Sequence, residues 1–190
     1  MEILTTLLIS FIFFFSFHFG EFIITAIYNR KLLNWKSTLI TGDYSIGVLF
    51  TYIEYFISFY FFPQFKMKNS IQLFGLLLII IGDFIRKSAM ITAKNSFTHE
   101  IETYYREDHI LITFGIYKYI RHPGYLGFFI WSIGIELFFC NFIMLNLALI
   151  ILWIFFKKRI KEEEEILIYF FGDDYREYRS QTPTWIPGIK

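Results

Sequence analysis

The sequence predicts an all-α fold: a polytopic transmembrane bundle of about five helices that ends in a tight C-terminal helical hairpin. Three observations predict it. Of 190 residues 55% are hydrophobic and 23% aromatic, Phe alone numbering 26, while 18% carry charge; a soluble domain of this length has no single core able to hide that much apolar surface. The apolar residues fall into runs approaching the ~20 residues needed to cross the hydrocarbon layer. The basic residues collect on one side of those runs when they alternate in direction.

The first run, about Ile3 to Tyr28, has no basic residue ahead of it and no small-residue cleavage site behind it, so it reads as a retained helix and not as a signal peptide. The second, about Tyr44 to Phe62, stops at Pro63, which cannot donate to the helical ladder. The third spans about Ile71 to Ala93. The fourth (Tyr125 to Cys140) and the fifth, starting at Phe142, nearly fuse at Asn141 and form the hairpin. The apolar part of the fifth ends near Phe156, yet KKRIKEEEEILIYFF keeps good helix formers as far as Gly172, a suitable C′ residue. A helix over residues 142–171 is about 45 Å long against a bilayer core of ~30 Å, so its last turns project into water. With no repeat or linker, residues 1–190 read as one domain.

The loop around Arg30, the loop before Arg121 and the C-terminal tail share one side, with Arg86 and Lys87 inside the third helix. Of 18 basic residues, only Lys66 and Lys68 belong to the other side. The basic side is expected in the cytosol and the N-terminus in the lumen. A net charge of +1 offers no field for nucleic acid; the partner is the bilayer. Cys140, the single cysteine, excludes an internal disulfide and reads as a small hydrophobe in an apolar run.

Three polar groupings interrupt this background. The first is the loop from His99 to Tyr125, ending in GIYKYIRHPGYLG. Pro123 pushes His122 toward an extended backbone, while Gly124 and Gly127 let a ligand or another backbone come close. The cluster Arg121, His122, Pro123 and Tyr125 suits either a rigid polar platform or an interfacial anchor. The second is KKRIKEEEE, residues 157–165, where i,i+4 pairing of Lys158 with Glu162, Arg159 with Glu163 and Lys161 with Glu165 describes a solvated face. Four consecutive glutamates nevertheless spread around the whole helix, so at least one points at the protein, where it can accept hydrogen bonds from ribose hydroxyls or face a cation. The third is Asp83, Arg86 and Lys87 with Glu136. Asp83 and Lys87 read as a mutually neutralising pair; Glu21 and Glu136 have no partner legible in sequence. His99, His109 and His122 match no helical i,i+4 ligand spacing, which argues against a metal site.

GIYKYIRHPGYLGFFIWSIG, the CN of the hairpin, and FFKKRIKEEEEILIYFFGDDYREYRSQTPTWIPGIK, with HFGEFIITAIYN and RKSAMITAKNSFTH more weakly, resemble the isoprenylcysteine carboxyl methyltransferase family over nearly the whole chain. RHPxYxG is shared with phospholipid methyltransferases; the glutamate run followed by FFGDDYREY and the proline-containing tail is more specific. The resemblance implies methyl transfer from S-adenosylmethionine to the C-terminal carboxylate of a farnesylated or geranylgeranylated cysteine on a trimmed CaaX protein. It further implies a multi-pass protein of the endoplasmic reticulum membrane with its cofactor-binding region facing the cytosol. Carried over by motif, the cofactor ligands are Glu102, His109, Ile110, Leu111, Ile112, Tyr117, His122, Pro123, Gly124, Tyr125 and Glu163, and the catalytic, substrate-facing residue is Arg159. Glu102 stands where the family pattern has glutamine. The chain also begins later than most members, without one or more of their N-terminal helices.

A carboxylate is ionised at pH 7, so such a transfer needs no general base; the work is to orient and partly dehydrate two opposite charges. Arginine suits the acceptor end because its fork grips a carboxylate without exchanging a proton. Rival readings are a phosphatidylethanolamine N-methyltransferase, which must deprotonate its acceptor, an NADPH-dependent sterol reductase-like membrane enzyme, and a membrane scaffold with no cofactor affinity.

Overall fold

The computed structural model describes residues 3–66, 68–101, 104 and 110–189, and among them there are helices and loops but no strand. Six α-helices follow one another: α1 (Ile3–Tyr28), α2 (Gly42–Phe61), α3 (Pro63–Lys66), α4 (Asn69–Ala93), α5 (Pro123–Phe138) and α6 (Phe142–Gln181). Among the described helices, α1 is the one long and apolar enough to cross a membrane by length and composition. α5 has 16 residues, and α4 carries Asp83, Arg86 and Lys87 within it.

The burial pattern of α1 is inverted relative to a soluble helix. Thr6, Ser10, His18, Glu21 and Thr25 face the bundle together with Phe17, whereas Leu4, Leu8, Phe11, Phe15 and Ile27 face outward. Lipid, not water, favours that arrangement, because polar side chains must then find partners inside the protein. His18 does so through both ring nitrogens, 2.7 Å from the Thr38 carbonyl and 2.6 Å from the Tyr44 hydroxyl.

α4 and α5 pack backbone to backbone. A Cβ built on Gly82 would lie 2.5 Å from the Trp131 amide nitrogen, and one on Gly75 would lie 2.4 Å from that of Phe138. Gly127 and Gly134 answer from α5, where a Cβ would meet the Arg86 and Ile79 nitrogens at 2.7 Å. Small residues seven apart on both helices therefore allow the close approach usual between membrane helices. Gly127, open in sequence to a ligand or a backbone, receives a backbone. Phe17 stacks on Trp131 with centroids 4.2 Å apart, and Ile79, Ile135, Phe138 and Tyr55 complete this core.

The helices depart from their sequence-derived bounds mostly at the ends. α5 begins at Pro123, two residues early, because proline is pre-shaped for the first helical position. The hairpin turn is Phe139–Asn141, with Cys140 in a left-handed conformation (φ 51°). α6 is interrupted at Gly172 (φ 55°, ψ −126°), a conformation that disfavours any side chain, and helix then resumes to Gln181. Sequence reading ends the helix at this glycine; the structure bends it there. The tail then folds back: Ile186 is buried among Leu126, Phe129, Phe156 and Ile160, and Trp153 Nε1 donates to the Pro187 carbonyl at 2.7 Å.

Candidate active site

The bend at Gly172 brings the end of α6 over the loop that precedes α5, and a cleft opens between them. Its empty volume, with the open solvent at its mouth included, is about 730 Å³. One wall is the stretch Ile110, Leu111, Ile112 and Tyr117 with His122, Pro123, Gly124 and Tyr125; the facing wall is Glu163, Leu167 and Phe171 of α6, then Tyr175 and Tyr178 beyond the bend. Ala93, Ser96, Phe97 and Thr98 close the end against α4. Glu102 and His109, expected among the ligands, lie outside the described residues.

The glutamate run divides as a 100° advance requires. Glu162 and Glu165 are exposed, and Lys158 reaches Glu162 at 3.8 Å. Glu163 looks into the cleft, where its Oε2 accepts from the Tyr125 hydroxyl at 2.5 Å. The expected Arg159–Glu163 pair is indirect, since Arg159 Nε donates to the same hydroxyl at 2.9 Å. Tyr125 thereby joins the residue expected at the donor end to the residue expected at the acceptor end. Its ring is fixed between the His122 imidazole (5.6 Å, 16°) and the Phe156 ring (5.2 Å, 30°).

Glu164 is the glutamate that sequence reading could not assign. It is 3% exposed, and its Oε1 accepts from Arg121 Nε at 2.5 Å and sits 3.1 Å from His122 Nε2. Its Oε2 lies 3.1 Å from Arg179 Nε. Burial alone would raise this carboxyl, but His122 and then Arg121 outweigh it and hold it below the ordinary carboxylate range. Arg121 also ties the tail down: its backbone nitrogen donates to the Pro183 carbonyl at 2.9 Å, and its Nη1 to the carbonyls of Arg179 and Thr182. Its Nη2, buried on the cleft wall, has no hydrogen-bond partner among the described residues. The Tyr178 hydroxyl donates to the Tyr117 carbonyl at 2.7 Å, locking the two walls together, and burial, then the charge of Glu163, pushes the Tyr117 phenol up so that it stays neutral.

Three features escaped sequence reading. Arg121 was visible in its cluster but not as the partner of a glutamate 43 residues away. The facing wall could have been found from Glu163, Leu167 and Phe171, which recur every four residues and so share one helical face; Tyr175 and Tyr178 could not, because the bend resets that face. Glu21 proves to be paired, through Arg86 at 2.5 Å and His99 at 2.8 Å, and Glu136 accepts from Thr51 at 2.6 Å and Asn141 at 3.2 Å. Asp83 and Lys87 do pair, at 2.7 Å.

An all-helical membrane protein with a polar cleft at one end of its bundle is the class that this fold and site define. The profile of the isoprenylcysteine carboxyl methyltransferase family matches residues 75–169. Mouse and human protein-S-isoprenylcysteine O-methyltransferases are 38% identical over 176 residues, covering 92% of this chain and 62% of each relative. The Arabidopsis thaliana protein-S-isoprenylcysteine O-methyltransferase A is 40% identical over 187 residues, covering 98% of this chain and 93% of the relative. The solved structure of the eukaryotic intramembrane Ras methyltransferase, an isoprenylcysteine carboxyl methyltransferase, superposes with a TM-score of 0.88 at 38% identity, over 91% of this chain and 63% of that one. The chain belongs to the isoprenylcysteine carboxyl methyltransferase family. It spans less than two thirds of the length of the mouse and human relatives.

Proposed function

We propose that this protein transfers a methyl group from S-adenosylmethionine to the C-terminal carboxylate of a prenylated cysteine. The observation that carries the reading is the Tyr125 hydroxyl, which binds Glu163 on the cleft side and Arg159 on the other, so that a donor pocket and a carboxylate receptor share one hydrogen-bonded hinge. Family membership supports it, as do the printed activities of the relatives at 38–40% identity.

The cleft fits a zwitterionic nucleoside-like donor. Arg121 Nη2, buried on the wall without a partner, suits an amino-acid carboxylate, and the Glu163 carboxylate suits ribose hydroxyls or a cationic centre. Ile112, Leu167 and Phe171 supply apolar faces for a flat base. When bound, the donor supplies an electrophilic methyl group on a cationic sulfur. The chain's own residues bind, align and exclude water; neither the buried tyrosines nor His122 has to take a proton, because a carboxylate acceptor has none to give. Arg159 presents a guanidinium edge to that carboxylate and thereby aligns it.

In this reading α1, α2, α4, α5 and the first half of α6 span the bilayer, and the cleft opens on the basic side, the cytosolic face of the endoplasmic reticulum membrane. The outward Phe, Ile and Leu side chains of α1 and α2 face lipid, from which a farnesyl or geranylgeranyl chain reaches the cleft. The test is methylation of a small farnesylated cysteine by the purified, reconstituted protein with labelled S-adenosylmethionine. Label incorporation at the acceptor carboxylate is expected; no turnover, or transfer to phosphatidylethanolamine in its place, refutes the proposal.

A further inference from the structure

Arg159 is held from two directions. Its Nε donates to Tyr125, and its Nη2 donates at 2.6 Å to the backbone carbonyl of His99, leaving Nη1 without a partner among the described residues. That carbonyl belongs to the loop after α4, three residues past the turn Lys94–Ser96. On either side of it the loop is pinned by Asn29, which donates to the Asn95 and Phe97 carbonyls at 3.2 and 3.1 Å, and by Lys36, which donates to Glu100 at 2.7 Å. At His99 itself the ring provides the hold: its Nε2 lies 2.8 Å from Glu21 Oε2. Glu21, on α1, is fully buried and is clamped by Arg86 of α4 through Nε at 2.5 Å and Nη2 at 3.0 Å. Arg86 also donates from Nη1 to the Gly124 carbonyl at 2.8 Å, on the cleft wall. The cluster therefore has two arms, one running through Arg86 to the donor cleft and one through His99 to Arg159. Stability alone is a poor reason for such a group, since burying charges often gains nothing over packed hydrocarbon.

We infer that His99, oriented by Glu21, is a positioning residue for acceptor recognition. The buried carboxylate of α1 fixes the imidazole, the imidazole fixes its own backbone carbonyl, and the carbonyl sets the angle at which the Arg159 fork meets the acceptor carboxylate. This rests on the proposed function, and it gives α1 a part in substrate selection although α1 contributes no side chain to the cleft.

The experiment separates the two arms. In the reconstituted full chain, His99→Ala is expected to raise the KM for a farnesylated cysteine about tenfold while the affinity for S-adenosylhomocysteine stays within about twofold. In an Arg159→Lys background the same substitution should add less than about twofold, because both act through one contact. An unchanged acceptor KM, a parallel loss of S-adenosylhomocysteine affinity, or full additivity with Arg159→Lys overturns the inference. If His99→Ala does not fold, His99→Gln and His99→Asn decide: the longer amide reaches Glu21 and keeps the acceptor KM, the shorter does not and raises it, and equal values for both overturn the inference. Wild-type protein that turns over no prenylcysteine refutes the function itself, and the inference with it.

Discussion

Two buried polar networks lie at opposite ends of α5, about 24 Å apart along a helix of this length, and they are assembled from the same chemistry. At the C-terminal end Lys66, 2% exposed, donates to the carbonyls of Phe139 and Cys140 at 2.9 and 2.8 Å and to Asn141 Oδ1 at 2.6 Å. Asn141 passes on to Glu136 and to the Thr51 carbonyl, and Thr51 closes the circuit on Glu136. A cation on the turn carbonyls just past the C-terminus of α5 and a carboxylate, Glu54, on the first amides of α6 (3.0 and 2.7 Å) complement the two helix ends that the tight turn brings together. At the N-terminal end Arg121, His122 and Glu164 are bound as closely, but Arg121 keeps one nitrogen without a partner among the described residues, and Glu163 beside it points into a cleft. The contrast teaches that burial and charge do not mark a functional site in a membrane bundle. The first network satisfies itself and holds a hairpin; the second leaves binding capacity over, on the wall of an open cleft.

The comparison breaks most visibly at Arg159. Arg159→Ala should lower kcat/KM for a prenylcysteine acceptor by at least about a hundredfold with little change in S-adenosylhomocysteine affinity, because it removes the fork and leaves the cleft intact; turnover near the wild-type rate in purified protein would remove Arg159 from the site. Next come the two networks themselves. Glu164→Ala strands Arg121 and is expected to destabilise the protein by about 3–5 kcal/mol and to weaken donor binding as well. Lys66→Met strands two carbonyls and an amide oxygen, with a loss of about 3 kcal/mol, yet should leave the donor affinity of the folded fraction unchanged. Denaturation in detergent paired with calorimetric titration checks both, and a donor-binding defect in Lys66→Met would erase the distinction between the two ends.

Smaller effects sharpen it. Glu163→Ala should weaken donor affinity about tenfold and Glu162→Ala by less than about twofold, since one faces the cleft and the other water; equal calorimetric effects would reject the assignment. The smallest is a dependence on pH. With its folded pKa held down, Glu164 contributes stability that is complete above the unfolded carboxylate value of about 4.3 and is lost as pH falls through the folded value. The melting temperature should therefore drop between about pH 5 and pH 3 more steeply in the wild type than in Glu164→Gln. Parallel curves would show that the Arg121–Glu164 pair does not carry this dependence.

Helix periods, proline and glycine punctuation, and the side on which Lys and Arg fall are local properties, so α1, the stop at Pro63, the hairpin at Asn141 and the break at Gly172 were open to reading from the chain alone. So was the grouping of Tyr117, the segment His122 to Tyr125 and Glu163, which line one cleft, because a family motif ties residue types to positions. Partnership is different in kind. Arg86 finds Glu21 across 65 positions, Thr51 finds Glu136 across 85, and Arg121 finds Glu164 across 43. Each depends on how far one helix is rotated about its axis and how closely it approaches the next, and in this molecule that was decided by the glycines that let α4 and α5 touch and by the bend that carries Tyr175 and Tyr178 over the cleft. Local pattern says that at least one of four glutamates must turn inward; only packing selects Glu164 for the structural pair and Glu163 for the cleft.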